Sequence, residues 1–195
     1  MIGVLLAGGR GRRMGGGKPW RELAGRPLIA WPAAALAGAC ERVVVVAKPG
    51  IDLPELPGVA RWDEPDTEHH PARGIAFALE RAGEPVLVCA ADMPFVTADV
   101  CRRVAAGLGE GRAAAAGMLP GPVPSAAVAV ADGVMQPVLA AYAPAALAGF
   151  RAAPPDAALT RTVDALGPVL VEVDSRLARS VDSAEDLAAA ALELE

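Results

Sequence analysis

Between residues 6 and 18 the chain reads Leu6-Ala7-Gly8-Gly9-Arg10-Gly11-Arg12-Arg13-Met14-Gly15-Gly16-Gly17-Lys18, four cations threaded through six glycines. Glycine lets backbone N–H groups come close to a ligand, and arginine and lysine neutralise phosphate oxygens. Such a loop suits a nucleoside triphosphate, although a surface loop with solvated arginines has the same composition. Two common phosphate motifs do not fit. The third glycine of GxGxxG falls on Met14, and a Walker A reading needs glycine where Arg12 stands. Pro19 also replaces the Ser or Thr that would hold magnesium there. The pattern therefore points away from dinucleotide oxidoreductases and P-loop NTPases.

Two further groups carry charge. Asp63-Glu64-Pro65-Asp66-Thr67-Glu68-His69-His70-Pro71 gathers four carboxylates and both histidines of the chain. Adjacent histidines converge poorly on one zinc ion, so an acceptor for ribose or base, or a solvated acidic face, fits better. Asp92-Met93-Pro94-Phe95 places a carboxylate just after an apolar run. A carboxylate there needs a partner. Magnesium carrying triphosphate oxygens is one, because magnesium takes one or two carboxylates plus phosphates. Capping of the following turn by Asp92 is the other reading.

The elements that must position these groups follow from periodicity. Ile2–Leu6, Arg42–Lys48, Val59–Trp62 and Pro85–Ala90 read as short strands, the run Val43-Val44-Val45-Val46 as one buried on both faces. Pro27–Leu36 and Ala72–Arg81 read as helices, the first with proline near its start. Thr97 caps a helix to about Leu108, with Asp99 in its first turn. Ala126–Ala131 and Val134–Tyr142 flank Asp132-Gly133 as two strands around a turn. Val169–Val173 is a late strand, and Ser183-Ala184-Glu185-Asp186 opens the last helix as a capping box. The alternation implies an α/β fold: one doubly wound, Rossmann-like domain over residues 1–195, its sheet mainly parallel with helices on both faces. In such sheets ligands bind beyond the carboxyl ends of the strands, here the loops after Leu6, Trp62 and Ala90.

Composition narrows the classes. The chain has 195 residues, is 53% hydrophobic, and carries a net charge of −5, which disfavours a nucleic-acid partner. Cys40, Cys89 and Cys101 form no CxxC pair and read as small core residues of a reducing compartment. The opening segment puts charge after its apolar run, the reverse of a secretory signal. The uncharged stretch Ala113 to Ala131 contains Pro120, Pro122 and Pro124, which would break a spanning helix. A cytoplasmic protein without membrane contact is the expectation.

Together the loops resemble the molybdenum cofactor guanylyltransferases, the MobA-type proteins of the nucleotidyltransferase superfamily. The resemblance rests on Leu6-Ala7-Gly8-Gly9, Arg13-Met14-Gly15-x-x-Lys18, Leu23-x-Gly25-x-Pro27-Leu28, Asp63 with Gly74 eleven residues later, Asp92-Met93-Pro94-Phe95, Gln136-Pro137-x-x-Ala140-x-Tyr142 and Ser180 through Leu187. It spans nearly the whole chain in the family's order. It implies transfer of GMP from GTP to the terminal phosphate of molybdopterin, with pyrophosphate released and magnesium as cofactor. By the same resemblance, Leu6, Ala7, Gly8, Gly9, Arg13, Lys18, Asp63 and Asp92 bind the nucleotide. Lys18, Arg13 and Asp92 are catalytic, and Asp92 holds the metal. Leu-Ala-Gly-Gly rather than Leu-Ala-Ala-Gly favours guanine over cytosine. Transient contact with proteins that make or accept the cofactor is a further implication. The chain departs from the family pattern at Gly17, His70, Gln136, Ser180, Asp182 and Ala184. The alternatives are a cytidylyltransferase acting on molybdopterin, a GTP-dependent transferase to a phosphorylated small acid, and a nucleotide-binding module without chemistry.

Overall fold

The computed structural model describes residues 1–8, 18–65, 70–115 and 124–194, the side chains of 110–115 excepted. Its centre is the β-branched and aliphatic run of β1 (Ile2–Leu6), which pairs in parallel with β4 (Arg42–Ala47) on one side and β6 (Val86–Ala90) on the other. Beyond β4 lies β5 (Val59–Asp63), also parallel. Beyond β6 come β8 (Val134–Tyr142), β7 (Ala126–Ala131) and β9 (Val169–Glu172). The order β5-β4-β1-β6-β8-β7-β9 makes a seven-stranded sheet in which only β8 runs antiparallel. Chain direction across the sheet reverses between β1 and β6, which opens a crevice at their carboxyl ends. The α/β, mainly parallel expectation holds.

Period-two alternation sends neighbouring residues to opposite faces. Leu5, Val43, Val45, Leu87 and Cys89 face α1 (Ala30–Ala37) and α3 (Ala98–Ala115). Ile2, Val4, Val44, Val46 and Val88 face α2 (Pro71–Ala82), α4 (Ala146–Ala152) and α5 (Leu159–Asp164). Four consecutive valines in β4 are therefore all buried because each face has its own helical layer. A third, smaller core joins Leu23, Leu28 and Phe95 to Val181 and Ala190, docking α6 (Ala184–Leu194) against the hairpin of β2 (Glu22–Leu23) and β3 (Arg26–Pro27).

Local chemistry explains most boundaries. Asp132 and Gly133 both adopt positive φ, 50° and 75°, the conformation a two-residue hairpin turn requires. Thr97 Oγ1 accepts from the Val100 N–H at 3.3 Å, as expected of an N-cap. The capping box of α6 is reciprocal: Asp186 N–H donates to Ser183 Oγ at 3.1 Å, and Ser183 N–H donates to Asp186 Oδ2 at 2.8 Å. These donors hold the Asp186 carboxyl below its ordinary value, the Asp182 N–H first among them.

Two expectations shift. Pro27 lies in β3 rather than at a helix start, and α1 begins at Ala30. The proline that occupies its first turn is Pro32, whose missing N–H is no loss there. Helix α3 runs past Leu108 to Ala115, and α5 carries no sequence signal strong enough to announce it. Within the apolar stretch 113–131, Ala126–Ala131 is fully buried strand, while 116–123 lies outside the described residues. Among the described residues no helix is long and apolar enough to cross a membrane.

Candidate active site

The crevice between β1 and β6 leads to a cavity of about 330 Å³, bordered by Leu6, Gly8, Glu64, His70, Gly74, Asp92, Gln136 and Ser180 among others. Backbone hydrogen bonds on both sides hold its floor. Ala7 N–H donates to Val46 O at 2.9 Å, and Ala91 N–H donates to Leu6 O at 3.0 Å. Leu6 to Gly8 thus continues β1 between its two neighbours, leaving Asp92 on the β6 side and Glu64 on the β4–β5 side.

Lys18 reaches this crevice from a short 3₁₀ turn, Lys18–Trp20. The adjoining hairpin fixes that turn, with Leu28 N–H donating to Arg21 O at 2.7 Å. The Lys18 ammonium donates to Asp92 Oδ2 at 2.7 Å and to Asp182 Oδ1 at 2.8 Å. Asp182 in turn accepts from Ser180 Oγ at 2.7 Å. What brings Asp182 beside Asp92 is a backbone bond, Val181 N–H to Asp92 O at 2.8 Å, together with Val181 in the third core. Burial alone would lower the Lys18 ammonium, but the charge of Asp92 and the hydrogen bonds to Asp182 and Asp92 outweigh it. The ammonium is held above its ordinary value of 10.5.

Glycine at 74 has a packing reason. A Cβ there would lie 3.2 Å from Leu6 Cδ2 and 3.4 Å from a Glu64 oxygen, so helix α2 approaches β1 this closely because the side chain is missing. His70 opens the same helix as its N-cap, Nδ1 accepting from the Ala72 N–H at 3.2 Å, with Pro71 in the first turn. His70 Nδ1 is thus engaged at the start of α2, while the residue also borders the cavity.

Of the sequence-derived site residues, Leu6, Gly8 and Asp92 border the cavity, Ala7 lies within its floor, and Lys18 pairs with Asp92. Gly9 and Arg13 lie outside the described residues. Asp63 ends β5 with its side chain half-exposed and paired to Arg61 at 2.8 Å, while Arg61 also donates to Ile51 O and Lys48 O. The neighbouring Glu64 is the one that turns into the cavity. Sequence reasoning left Glu64 undifferentiated among four carboxylates. Asp182 was visible only as part of the closing motif, with nothing to tie it to Lys18, 164 positions away.

Asp92 and Asp182 supply hard oxygen donors of the kind magnesium prefers, and a cationic group already sits between them. Among the described residues no three His, Cys, Asp or Glu side chains converge on one point. A metal here would complete its shell from water and substrate phosphates, as magnesium ordinarily does. The pair fits the ion. Thiol chemistry does not reach the site: burial pushes Cys89 well up and Cys101 up to about 12.

Residues 3–169 match the sequence profile of the MobA-like NTP transferase domain. A probable molybdenum cofactor guanylyltransferase of Mycobacterium tuberculosis is 38% identical over 110 residues, which cover 54% of this chain and 55% of that protein. The molybdenum cofactor guanylyltransferase of Rhodobacter capsulatus is 39% identical over 116 residues, covering 54% and 58%. The chain spans about half the length of the curated relatives it matches. In fold it is similar to the molybdopterin-guanine dinucleotide biosynthesis protein A of Archaeoglobus fulgidus, with a TM-score of 0.72, 22% identity, and 100% and 98% of the two chains covered.

Proposed function

The chain belongs to the MobA-like NTP transferase domain family, and on that premise we propose that it transfers GMP from GTP to the terminal phosphate of molybdopterin. The products are molybdopterin guanine dinucleotide and pyrophosphate, formed by residues 1–195 acting as one domain in the cytoplasm. The observation that carries the reading is the Lys18 ammonium set between Asp92 and Asp182 at the carboxyl ends of β1 and β6. Relatives named as molybdenum cofactor guanylyltransferases support the choice of donor and acceptor.

An oxygen of the acceptor's terminal phosphate attacks the α-phosphorus of GTP in line. The bond to the bridging oxygen of the β-phosphate breaks, and its electrons leave with pyrophosphate. No enzyme nucleophile takes part, so the protein's contribution is positioning and charge stabilisation. Lys18 moves from its carboxylates to the leaving phosphate oxygens, and Arg13 joins it. The segment Leu6 to Gly9 lies along the nucleotide in the crevice, its Ala7 N–H being committed to Val46 O. Asp92 and Asp182 would hold magnesium, which when bound supplies a divalent charge against the phosphate oxygens. The cysteines play no part. Product passes to cofactor-accepting proteins by transient contact.

The test is a competition. Protein, molybdopterin and magnesium are mixed with equal GTP, CTP, ATP and UTP, and the dinucleotide is identified by mass spectrometry. A guanine dinucleotide is expected to dominate. A cytosine dinucleotide would keep the chemistry and overturn the base. Pyrophosphate release with no dinucleotide of molybdopterin would overturn the acceptor.

A further inference from the structure

Charge stabilisation makes no use of the segment Gln136 to Tyr142, yet its two ends are tied together and one of them borders the cavity. Strand β8 pairs with β7 in two registers. Ala126, Ala127 and Val128 lie opposite Tyr142, Ala141 and Ala140, but the next residue, Ala129, lies opposite Gln136. Pro137, Val138 and Leu139 are therefore extra on β8, and of these only Leu139 is taken up by β6, opposite Cys89. An excursion of this kind bends a strand and re-aims the residues beside it. Proline suits the place, because it has no N–H to lose from a ladder. Here the excursion lies against the cavity, which both Gln136 and Val138 border.

The Pro137 carbonyl lies outside both ladders, and a buried side chain supplies its partner. The Tyr142 hydroxyl donates to Pro137 O at 2.7 Å. Five residues of extended strand cover roughly 17 Å, further than a phenol reaches, so the bond exists because the excursion shortens β8 between its ends. The Tyr142 ring is fully buried and stands edge-on to Phe150, with centroids 5.1 Å apart at 82°. Burial pushes the phenol above its ordinary value, so it stays a donor. The far end is held more loosely. Among the described residues the Gln136 side chain makes one hydrogen bond, a long one in which Nε2 donates to Val134 O at 3.4 Å. A carboxamide carries two donors and an acceptor, and one held this weakly beside a cavity is available to a ligand.

Resting on the guanylyl-transfer reading, we propose that Tyr142 is a positioning residue: its hydroxyl holds the Pro137 carbonyl and through it sets the Gln136 carboxamide against the acceptor. The side follows from the sheet. The cationic, glycine-rich sequence follows β1, and β8 lies across β6 from it. Attack is in line, so acceptor and leaving pyrophosphate occupy opposite sides of the α-phosphorus. A nucleotide laid along the end of β1, with its phosphates at Lys18, leaves the β8 side to the attacking molecule. A pterin ring carries amide and amino groups, which a carboxamide meets as donor and acceptor at once. Tyr142, with no exposed surface, touches no substrate itself.

The experiment titrates molybdopterin and GTP separately, by calorimetry, into wild type, Tyr142→Phe, Gln136→Ala and the double variant. Circular dichroism checks each fold, and kcat and KM for pyrophosphate release follow. Tyr142→Phe keeps the ring and removes only the donor, leaving a buried carbonyl unpaired. It is expected to weaken molybdopterin binding about five- to tenfold and to raise the KM for molybdopterin alike, with GTP affinity and kcat within about twofold of wild type. Gln136→Ala should do the same. The double variant should bind no more weakly than the weaker single variant, because both residues act on one contact. Multiplied losses in the double variant would leave Tyr142 a merely structural role and overturn the proposal. An equal loss of GTP and molybdopterin affinity in folded Tyr142→Phe would overturn it too. If Tyr142→Phe does not fold, unchanged molybdopterin affinity in Gln136→Ala overturns it instead. Should the affinities behave as stated while no dinucleotide forms, the transfer reading fails and Tyr142 keeps its role. Dinucleotide from wild type, with variant affinities unaltered, keeps the transfer reading and ends the proposal.

Discussion

The chain has two lysines, and each meets a carboxylate that borders the same cavity, yet the two are held in opposite ways. Lys18 sits on a turn outside the sheet, and its partners come from residues 74 and 164 positions away. Those partners are open to solvent, Asp92 at 28% and Asp182 at 54% side-chain exposure. Lys48 directly follows β4 and pairs with Glu64, which continues the neighbouring strand, and the two side chains are only 3% and 7% exposed. In a partly solvated cluster an ammonium exchanges one oxygen partner for another at small cost, which suits a group that must take up and release phosphate. In the buried pair the same exchange would leave a charge alone at low dielectric, which suits a group that must not move. One crevice thus carries one ammonium among partly solvated carboxylates and another in a buried pair.

The largest effect should fall on turnover at the mobile end. Lys18→Ala or Asp92→Ala is expected to lower kcat/KM for pyrophosphate release by about a hundredfold or more, roughly 3–4 kcal/mol, with the circular dichroism spectrum unchanged. Turnover within a few-fold of wild type would break the assignment of these residues.

Stability should reverse the ranking. Lys48→Met leaves Glu64 buried without its ammonium and should cost about 3–5 kcal/mol in urea unfolding. Lys18→Met removes a more solvated contact and should change stability by about 1 kcal/mol or less. Equal losses from the two substitutions would erase the distinction between the pairs.

Helix α6 offers a smaller handle on the mobile end, because its cap and the Asp182 segment share hydrogen bonds. Ser183→Ala should cost about 1 kcal/mol of stability, read as a fall in Tm, by removing one half of the capping box. The third core should keep Val181 on Asp92 and preserve most of the activity.

The finest discrimination is by pH. The folded value of Lys18 lies above its ordinary 10.5, so its contribution to stability is complete below that value and fades as pH rises through the raised folded value. Urea unfolding of wild type and Lys18→Met between pH 8 and pH 11 should show curves that run parallel at the lower end and converge only at the alkaline end. Convergence already near pH 8 would mean that the ion pair adds nothing.

The long strands, the Asp132-Gly133 turn and the caps at Thr97 and Ser183 were legible, each encoded within a few residues of itself. The β2–β3 hairpin was not, because two-residue strands carry no period. Its turn also places Ala24 at a φ of 46°, which nothing in the identity of alanine announces. Helix α1 was placed three residues early because proline suits a strand edge as well as a helix start. At the site, Lys18 and Asp92 stood out by their neighbours in sequence, whereas the resemblance pointed to Asp63 and it is the adjacent Glu64 that borders the cavity.

Composition and order by themselves determined that this chain forms a mainly parallel α/β sheet and that a cationic, glycine-rich sequence follows its first strand. Hydrophobic periodicity and turn chemistry act over a few residues, and a few residues suffice to read them. Only the tertiary structure decided that Asp182 joins Lys18 and that Glu64, not Asp63, enters the cavity. The first depends on a third core that packs α6 against a hairpin more than 150 residues earlier. The second depends on how the end of β5 sits against β4, where one residue of register turns a side chain from solvent to the interior.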